Sequence, residues 1–352
     1  MGLHRWRESL PDQPIVHAMG FSVWKRPLLR RFLHNYKLVF VRHVRQIPDN
    51  ATLALWASGT HRNLLRSHPC ANRILLEDGF LRSVGLGAFL VRPLSWVADT
   101  RGMHYEAVRP SDLEVLLQTA DFDPTTLRRA RALRETLLAA GITKYNVGTS
   151  TWPGVSRRAA SRQEIVLVPG QVESDASVLH GAPGICTNLD LLRSAREMHP
   201  RAWLIYKPHP DVVAGLRRAG SGENDAWKIC DEVVTDAPMG KVLQAVDIVH
   251  VLTSLAGFEA LLRNKRVVCH GVPFYSGWGL TEDLWPAPRR SKRLCLEELI
   301  AGALIHYPIY VSRMSGMACT VEQAVTELIE WTNTARTLPW WRKSMRPFLR
   351  SK

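Results

Sequence analysis

The chain has 352 residues, of which 46% are hydrophobic and 22% charged, a composition typical of globular and not of disordered proteins. This length is more than one hydrophobic core usually supports, and it predicts two domains. No apolar run approaches the roughly 18 residues that cross a bilayer, so we expect a soluble or peripheral protein.

The formal net charge of +14 is concentrated at the two ends of the chain. Residues 1–66 hold 11 Lys and Arg against three acids, and residues 336–352 hold six against none, so the stretch between them is neutral. Trp340, Trp341 and Phe348 lie among the C-terminal cations, a mixture favoured at lipid headgroups. We expect the ends to dock onto an anionic surface such as a membrane, the alternative being a merely solubilising surface. A nucleic-acid partner is not expected, since no binding motif accompanies the charge.

The six cysteines are scattered and form no CxxC pair. A chain of this size needs no disulfide to hold its core, and we expect no signal peptide, so the thiols should be reduced in a cytoplasmic protein. The acidic residues show no clustered metal-ligand pattern. We therefore expect no metal ion, and we predict no other cofactor.

Short apolar runs alternate with amphipathic stretches, which predicts an α/β fold. In the first half we predict strands at 37–41, 52–56 and 74–76 and helices at 111–119 and 124–140. A linker is predicted over 142–163, where Gly, Pro, Ser and Thr are frequent. In the second half we predict strands at 164–168, 202–206, 232–234, 248–252 and 266–269, and helices at 187–198, 239–245, 255–262, 296–306 and 321–334.

Strand–helix alternation predicts right-handed crossovers and parallel sheets. We divide the sequence into an N-terminal α/β domain (1–150), a C-terminal Rossmann-type domain (151–335) and a basic aromatic tail (336–352). Two such sheets that face each other across a cleft form the architecture called GT-B.

Polar clusters follow several predicted strands, at the edge where doubly wound sheets bind ligands. The segment Lys207-Pro208-His209-Pro210 follows the strand 202–206, and its two prolines stiffen the loop. A cation and an imidazole in this position suit a phosphate or a departing phosphate oxygen. The alternative is a structural role, in which the hydrogen-bonding groups of His209 are satisfied within a turn.

Thr253 and Ser254 follow the strand 248–252 and precede a helix. Hydroxyls and free backbone N–H groups at a helix start form an anion site, although an ordinary helix cap is the commoner use. Glu259 lies further along the same helix, where its carboxylate could accept both ribose hydroxyls of a nucleotide. The alternative for Glu259 is a surface glutamate.

Glu77, Asp78 and Gly79 follow the strand 74–76 and lead to Arg82. Because side chains alternate along a strand, we expect only one of the two acids to point into a cleft. A solvated acidic turn is the alternative.

Two further loops carry polar or aromatic side chains. The loop VPGQVESDAS contains Gln171 and Asp175, which could line a cleft or belong to a cap-rich turn before a helix. The loop GVPFYSGWGLT contains Tyr275 and Trp278. Its glycines and aromatic residues suit a substrate-contacting loop or, equally, a packed surface loop.

Together these segments resemble the capsule polysaccharide synthesis proteins of the KpsC/LipA type, which are retaining β-Kdo transferases. The matching stretches are EDGFLRSVGLG, VPGQVESDASV, KPHPDV, TSLAGFEALLRNKRVVCHG and PFYSGWGLT, with weaker likeness at GFSVWKR and LALWAS. KpsC carries two such modules, whereas this chain has one. The KPHP and TS segments also look like the motifs with which bacterial GT-B sialyltransferases hold CMP.

The resemblance implies that the C-terminal domain binds CMP-Kdo as donor substrate and that the N-terminal domain meets an anionic glycan or lipid-linked acceptor at the inner face of the cytoplasmic membrane. It implies Asp175 as nucleophile and Glu77 or Asp78 as base for the acceptor hydroxyl. We predict CMP contacts from Lys207, His209, Thr253, Ser254 and Glu259, and sugar or acceptor contacts from Arg82, Gln171, Tyr275 and Trp278.

Two other functions stay open on the sequence. An inverting, sialyltransferase-like CMP-sugar transferase would use Glu77 or Asp78 as its sole base and leave Asp175 a structural role. A non-catalytic capsule-assembly protein would retain a decayed nucleotide cleft. The anomeric configuration of the product, and donor hydrolysis without acceptor, separate these functions from the first.

Overall fold

The computed structural model describes residues 15–58, 72–86, 90–148, 152–155 and 164–337. Most of the predicted basic tail, the first 14 residues and parts of the predicted linker lie outside these ranges. Within them the chain is a mixed α/β protein with two β-sheets of seven and six strands. None of the described helices is long and apolar enough to cross a membrane.

The strands are mostly short. In chain order they are β1 (Ile15–Met19), β2 (Lys37–Phe40), β3 (Thr52–Trp56), β4 (Asn72–Asp78), β5 (Ser95–Asp99), β6 (Ile165–Pro169), β7 (Trp203–Lys207), β8 (Glu232–Val233), β9 (Ile248–Val251), β10 (Arg266–Cys269), β11 (Glu282–Asp283), β12 (Pro308–Val311) and β13 (Ala318–Cys319). All ten strand positions of β3 and β5 are buried, so these two strands lie inside the sheet.

The helices occupy the connections between strands. In chain order they are α1 (Lys25–Phe32), α2 (Asp112–Thr119), α3 (Pro124–Ala140), α4 (Ala176–Gly181), α5 (Asn188–Met198), α6 (Pro210–Val213), α7 (Met239–Ala245), α8 (Leu255–Leu261), α9 (Leu296–Ile300) and α10 (Val321–Thr337). Helix α9 continues as a π-helix over Ala301–His306.

Helix α3 has the bounds that its sequence signals predict. The Asp123 carboxylate accepts hydrogen bonds from the backbone N–H groups of Thr125 and Thr126, at 2.8 and 3.0 Å. Pro124 takes the first helical position, where no N–H partner is needed. Gly141 ends the helix in the left-handed region, at φ +65°.

The second sheet has the strand order β8-β7-β6-β9-β10-β11, and every pair in it is parallel. Numbered along the chain, this is the 3-2-1-4-5-6 order of a Rossmann-type, doubly wound sheet. The order reverses between β6 and β9, so the loops that follow these two strands flank the usual ligand crevice.

The first sheet has the order β13-β12-β5-β4-β3-β1-β2 and is mixed. Strands β2, β1, β3 and β4 are parallel to one another. Strand β5 pairs antiparallel with β4, β12 with β5, and β13 with β12. The sequence division places residues 308–319 in the C-terminal domain, but the chain returns there to the first sheet. Short strands join a sheet through backbone hydrogen bonds, which side-chain periodicity does not reveal.

A shared apolar core joins the two sheets. One cluster of buried side chains includes Leu53 and Leu75 from the first sheet and Leu167 and Val249 from the second. Two smaller clusters cover the far faces of the sheets. This shared packing holds the carboxyl ends of β4, β6, β7 and β9 around a common cleft.

Candidate active site

A cleft of about 840 Å³ lies between the loops that follow β4 of the first sheet and β6, β7 and β9 of the second. Ten of the twelve site residues predicted from the sequence line it. They are Glu77, Asp78, Arg82, Gln171, Asp175, Lys207, His209, Thr253, Ser254 and Glu259. The structure therefore brings together residues that lie up to 182 positions apart in the sequence.

Glu77 and Asp78 end strand β4, and both line the cleft. The expectation that only one of the two acids points into the cleft stays a prediction, since both residues lie at the carboxyl end of the strand, where it meets the cleft. Burial, followed by the Asp78 charge, raises the pKa of Glu77 to about 7. A carboxyl group that titrates near neutral pH suits a general base.

Asp78 forms a hydrogen-bonded ion pair with an arginine. Its Oδ2 accepts a hydrogen bond of 2.7 Å from Nε of Arg82. The Arg82 side chain is only 3% exposed, and its Nη1 also donates to the Ser83 hydroxyl at 2.9 Å. The guanidinium that we predict from the sequence to bind a sugar or acceptor carboxylate therefore already binds a carboxylate of the protein.

Asp175 takes the N-cap position of α4, but its side chain accepts no hydrogen bond from the helix backbone. It forms an ion pair with Arg217, in which Nη2 of the guanidinium donates to Oδ1. Its side chain is 40% exposed and lines the cleft. The carboxylate is therefore accessible to a substrate, as a nucleophile must be.

Lys207 and His209 lie where β7 meets the cleft. Burial lowers the pKa of Lys207 to about 8. The Nδ1 of His209 accepts a hydrogen bond of 3.1 Å from the Asp211 backbone N–H, so the turn predicted as the structural alternative is present. Burial, then the nearby Lys144 and Arg217, lower the pKa of His209 to about 4. The ring is neutral near pH 7, and because Nδ1 accepts, Nε2 carries the proton.

Gln171 fixes the loop after β9 against the loop after β6. Its Oε1 accepts from the Thr253 backbone N–H at 2.9 Å, and its Nε2 donates to the Thr253 hydroxyl at 3.1 Å. Ser254 caps α8 by accepting from the Ala256 N–H at 3.2 Å. The N–H groups of Thr253 and Ala256 are thus already bonded, and the hydroxyls of Thr253 and Ser254 can still donate to an anion.

Gly170 lies just before Gln171 and lets the loop pass close to β7. A Cβ atom at this position would lie 2.6 Å from the Tyr206 hydroxyl oxygen, so a larger residue would push the loop away. The Gly170 N–H also donates to the Lys207 carbonyl at 2.8 Å. This close approach sets the spacing between the loops of Gln171 and His209.

Glu259 is buried, with 7% of its surface exposed, so it is not the surface glutamate of the alternative interpretation. Its Oε1 accepts a hydrogen bond of 2.8 Å from the Lys144 backbone N–H. Burial raises its pKa. The hydrogen bond ties α8 to the segment 142–148, which connects the two halves of the chain. Its ribose contact stays a prediction.

Tyr275 and Trp278 are absent from the cleft lining, so the prediction that they contact sugar or acceptor is wrong. Both are fully buried. The Tyr275 hydroxyl donates to the Ser254 carbonyl, and the Trp278 Nε1 donates to the Phe274 carbonyl at 2.8 Å. Phe274 lines the cleft instead and stacks on Phe80 with ring centres 4.5 Å apart. Large aromatic side chains gain more from burial than from exposure on a loop.

Three cationic residues of the cleft were not found by sequence reasoning. Lys25 lies in the segment GFSVWKR, and its Nζ is 3.1 Å from the centre of the Trp56 ring. Burial lowers the pKa of Lys25 to about 8, although the Glu77 and Asp78 charges oppose this. Lys144 and Arg217 lie in segments with no strand-end motif, so no sequence signal marks them.

Comparisons with known proteins agree on one family. The sequence profile of the family described as capsule polysaccharide biosynthesis protein matches residues 60–147 and 154–317. The capsule polysaccharide modification protein LipA of Neisseria meningitidis serogroup B is 43% identical over 326 residues, which cover 90% of this chain and 46% of LipA. The chain thus spans about half the length of this curated relative.

Two solved structures from Thermosulfurimonas dismutans share the fold. The one described as KpsC, β-Kdo 2,7-transferase is 39% identical, with a TM-score of 0.74 over 90% of this chain and 98% of that one. The one described as KpsC, β-Kdo 2,4-transferase is 30% identical, with a TM-score of 0.80 over 91% of this chain and 99% of that one.

Proposed function

The chain belongs to the capsule polysaccharide biosynthesis protein family, as a protein of the KpsC/LipA type, and from this premise we propose that it is a glycosyltransferase. It moves Kdo from CMP-Kdo to an anionic glycan or glycolipid acceptor in the synthesis of capsule or a related surface polysaccharide. The product keeps the configuration of the donor and carries a β-Kdo linkage. CMP-Kdo is a substrate, and the proposed reaction uses no cofactor.

One observation carries this proposal. Glu77 of the first sheet and Asp175, His209 and Ser254 of the second line the same cleft. A transferase needs a base, a nucleophile and groups that bind a leaving phosphate around a single carbon atom. If these side chains opened onto different faces of the fold, they could not act together on one substrate.

We assign the two sheets and their cleft to the GT-B architecture. CMP lies on the second sheet, where the strand order reverses between β6 and β9. The hydroxyls of Thr253 and Ser254 and the Nε2–H of His209 donate to the phosphate, and Glu259 meets the ribose. Lys207 offsets the charge that grows on the phosphate as CMP leaves, an electrostatic contribution that is usually large in enzymes.

Retention follows from two displacements. In the first, an oxygen of Asp175 attacks C2 of Kdo, a C2–O bond to the protein forms, and the bond from C2 to the phosphate oxygen breaks with its electron pair leaving on CMP. In the second, the acceptor hydroxyl attacks C2, Asp175 departs as a carboxylate, and Glu77 takes the hydroxyl proton. The raised pKa of Glu77 suits it better than Asp78, whose carboxylate is held by Arg82.

The basic surface supports an anionic acceptor. Residues 15–48 contain seven Lys and Arg and no acid, and Lys25 of this stretch lines the cleft. Such a surface attracts a polyanionic glycan or an anionic lipid layer. We place the reaction in the cytoplasm, at the inner face of the cytoplasmic membrane.

The test is transfer from CMP-Kdo by the purified chain and by its Asp175→Asn variant. We expect the variant to lose at least about a hundredfold in rate, and intact mass spectrometry to detect a Kdo adduct only on the native chain. The control is Asp225→Asn, the same change at a 55% exposed acid that pairs with Lys228 away from the cleft, which should leave the rate unchanged. Near-normal transfer by Asp175→Asn, or a product of inverted configuration, would refute the mechanism.

A further inference from the structure

The chemistry of the proposed donor sets a positional requirement. Kdo is a 2-keto sugar acid, so its carboxylate is attached directly to C2, the carbon that the nucleophile attacks. The group that recognises this carboxylate must therefore lie beside the nucleophile. Because carboxylates bind arginine through paired, charge-assisted hydrogen bonds, a guanidinium next to Asp175 is the arrangement to look for.

Arg217 fulfils this requirement. Its Nη2 donates to Asp175, and its side chain is 47% exposed and lines the cleft. Its charge also contributes to the lowered pKa of His209, so it lies near the residue proposed to bind the phosphate. Both the carboxylate and the phosphate of CMP-Kdo are attached to C2. A cation that contacts Asp175 and lies near His209 would therefore be close to that carboxylate when the donor binds.

Most N–H donors of the Arg217 guanidinium are also free to bind a ligand. Among the described residues, its side chain makes one hydrogen bond, through one hydrogen of Nη2, which leaves one paired edge of the guanidinium for a ligand. Its backbone is anchored, since its N–H donates to the Asp211 carbonyl at 3.1 Å. The arginine is thus held in place at its main chain while most of its donors remain available.

Three of the other cations of the cleft are less suited to this role. Arg82 is buried and binds Asp78 and Ser83. The ammonium of Lys25 lies on the Trp56 ring, across the cleft from the second sheet. Lys207 is buried at the end of β7, and its ammonium is directed to the Thr235 carbonyl at 3.5 Å. None of these three contacts Asp175 in the described structure.

We propose that Arg217 is the specificity-determining residue of this site, which selects donors whose anomeric carbon bears a carboxylate. The inference rests on the proposed function. Before the donor binds, Arg217 holds the Asp175 carboxylate at the cleft. When the donor binds, the same guanidinium also takes the donor carboxylate and so aligns C2 with Asp175. A neutral aldose attached to CMP offers nothing to this guanidinium and is bound less well.

The experiment compares wild type, Arg217→Gln, Arg217→Lys and the control Arg218→Gln with two donors, CMP-Kdo and its C1 carboxamide. CMP binding is measured by calorimetry for each protein. Arg218 is the exposed neighbour that lies outside the cleft lining, so its variant should behave as wild type. Wild type should prefer CMP-Kdo over the carboxamide by about 10- to 100-fold in kcat/KM, the range for a hydrogen bond to a charged group.

Arg217→Gln should lose this preference, with less than about a threefold difference between the two donors, while its affinity for CMP stays unchanged. Arg217→Lys should restore part of the preference, because it keeps the charge without the paired donors. Discrimination by Arg217→Gln as strong as that of wild type would overturn the inference, as would an equal loss of CMP affinity, which would make Arg217 a phosphate ligand. If wild type is inactive with CMP-Kdo, both the proposed function and the inference are refuted. If wild type is active but Arg217→Gln still discriminates between the two donors, only the inference is refuted.

Discussion

Replacing Glu77 by glutamine should make the protein more stable at pH 8 while removing transfer activity. Glutamine resembles the protonated carboxyl group in shape and keeps an oxygen that can accept the 3.1 Å hydrogen bond from the Asp78 N–H. Burial raises the pKa of Glu77 in the folded chain from its ordinary 4.5 to about 7. The folded state therefore resists ionisation of this group, and glutamine avoids that cost.

The magnitude follows from the two pKa values. Because the folded-state pKa is the higher one, the contribution of Glu77 to stability is complete below pH 4.5 and is lost as the pH rises through 7. At about 1.4 kcal/mol for each pH unit between the two values, the loss at pH 8 is roughly 3 kcal/mol. The free energy of unfolding of Glu77→Gln should exceed that of wild type by this amount at pH 8 and by almost nothing at pH 4.

The assay is urea unfolding between pH 4 and 8, followed by tryptophan fluorescence and circular dichroism, whose transitions should coincide if the free energies are to be compared. Asp78→Asn is the matched control, because it makes the same change at the next residue with the opposite outcome. It leaves the buried guanidinium of Arg82 without its carboxylate and should cost about 3 kcal/mol. A stability difference for Glu77→Gln that is independent of pH would refute the reasoning.

Two other predictions concern groups outside the reaction. Burial, with the neighbouring His270 and His199, lowers the pKa of His250 from 6.5 to about 3, so its contribution to stability is complete above pH 6.5 and is lost on acidification. Wild type should lose about 3 kcal/mol between pH 6.5 and pH 4 that the His250→Gln variant does not lose, as measured by urea unfolding across that range. Trp278→Ala should cost about 3–5 kcal/mol of stability in the same assay, yet leave the KM for CMP-Kdo unchanged at low temperature. A rise in that KM would contradict this prediction and indicate that Trp278 contributes to substrate binding.

Much of the second sheet could be predicted from the sequence. The strand β10 and the helices α3 and α7 have the predicted bounds, and the other predicted strands of this sheet differ by one residue or two at their ends. These segments carry their own signals, which are apolar runs of strand length and caps such as Asp123 and Gly141. Local signals of this kind need no knowledge of the partner strand.

The first sheet was harder to predict. Strands β1, β5, β12 and β13 and helix α1 were not found. Strand β5 reads SWVAD, in which a serine and an aspartate shorten the apolar run to three residues although both polar residues are buried. The Asp99 carboxylate is satisfied by the N–H groups of Arg101, Gly102 and Asp112, a solution that only the folded loop provides.

The sequence by itself predicted most of the loops that line the cleft, because the ends of parallel strands in one sheet lie at the same edge. The tertiary structure decided what each side chain does there. It buried Tyr275 and Trp278, engaged Gln171 with Thr253 and Arg82 with Asp78, and placed Arg217 against Asp175. The physical reason is that a side chain is available to a ligand only if other protein groups do not already bond to it or bury it. Most of those groups come from distant parts of the chain.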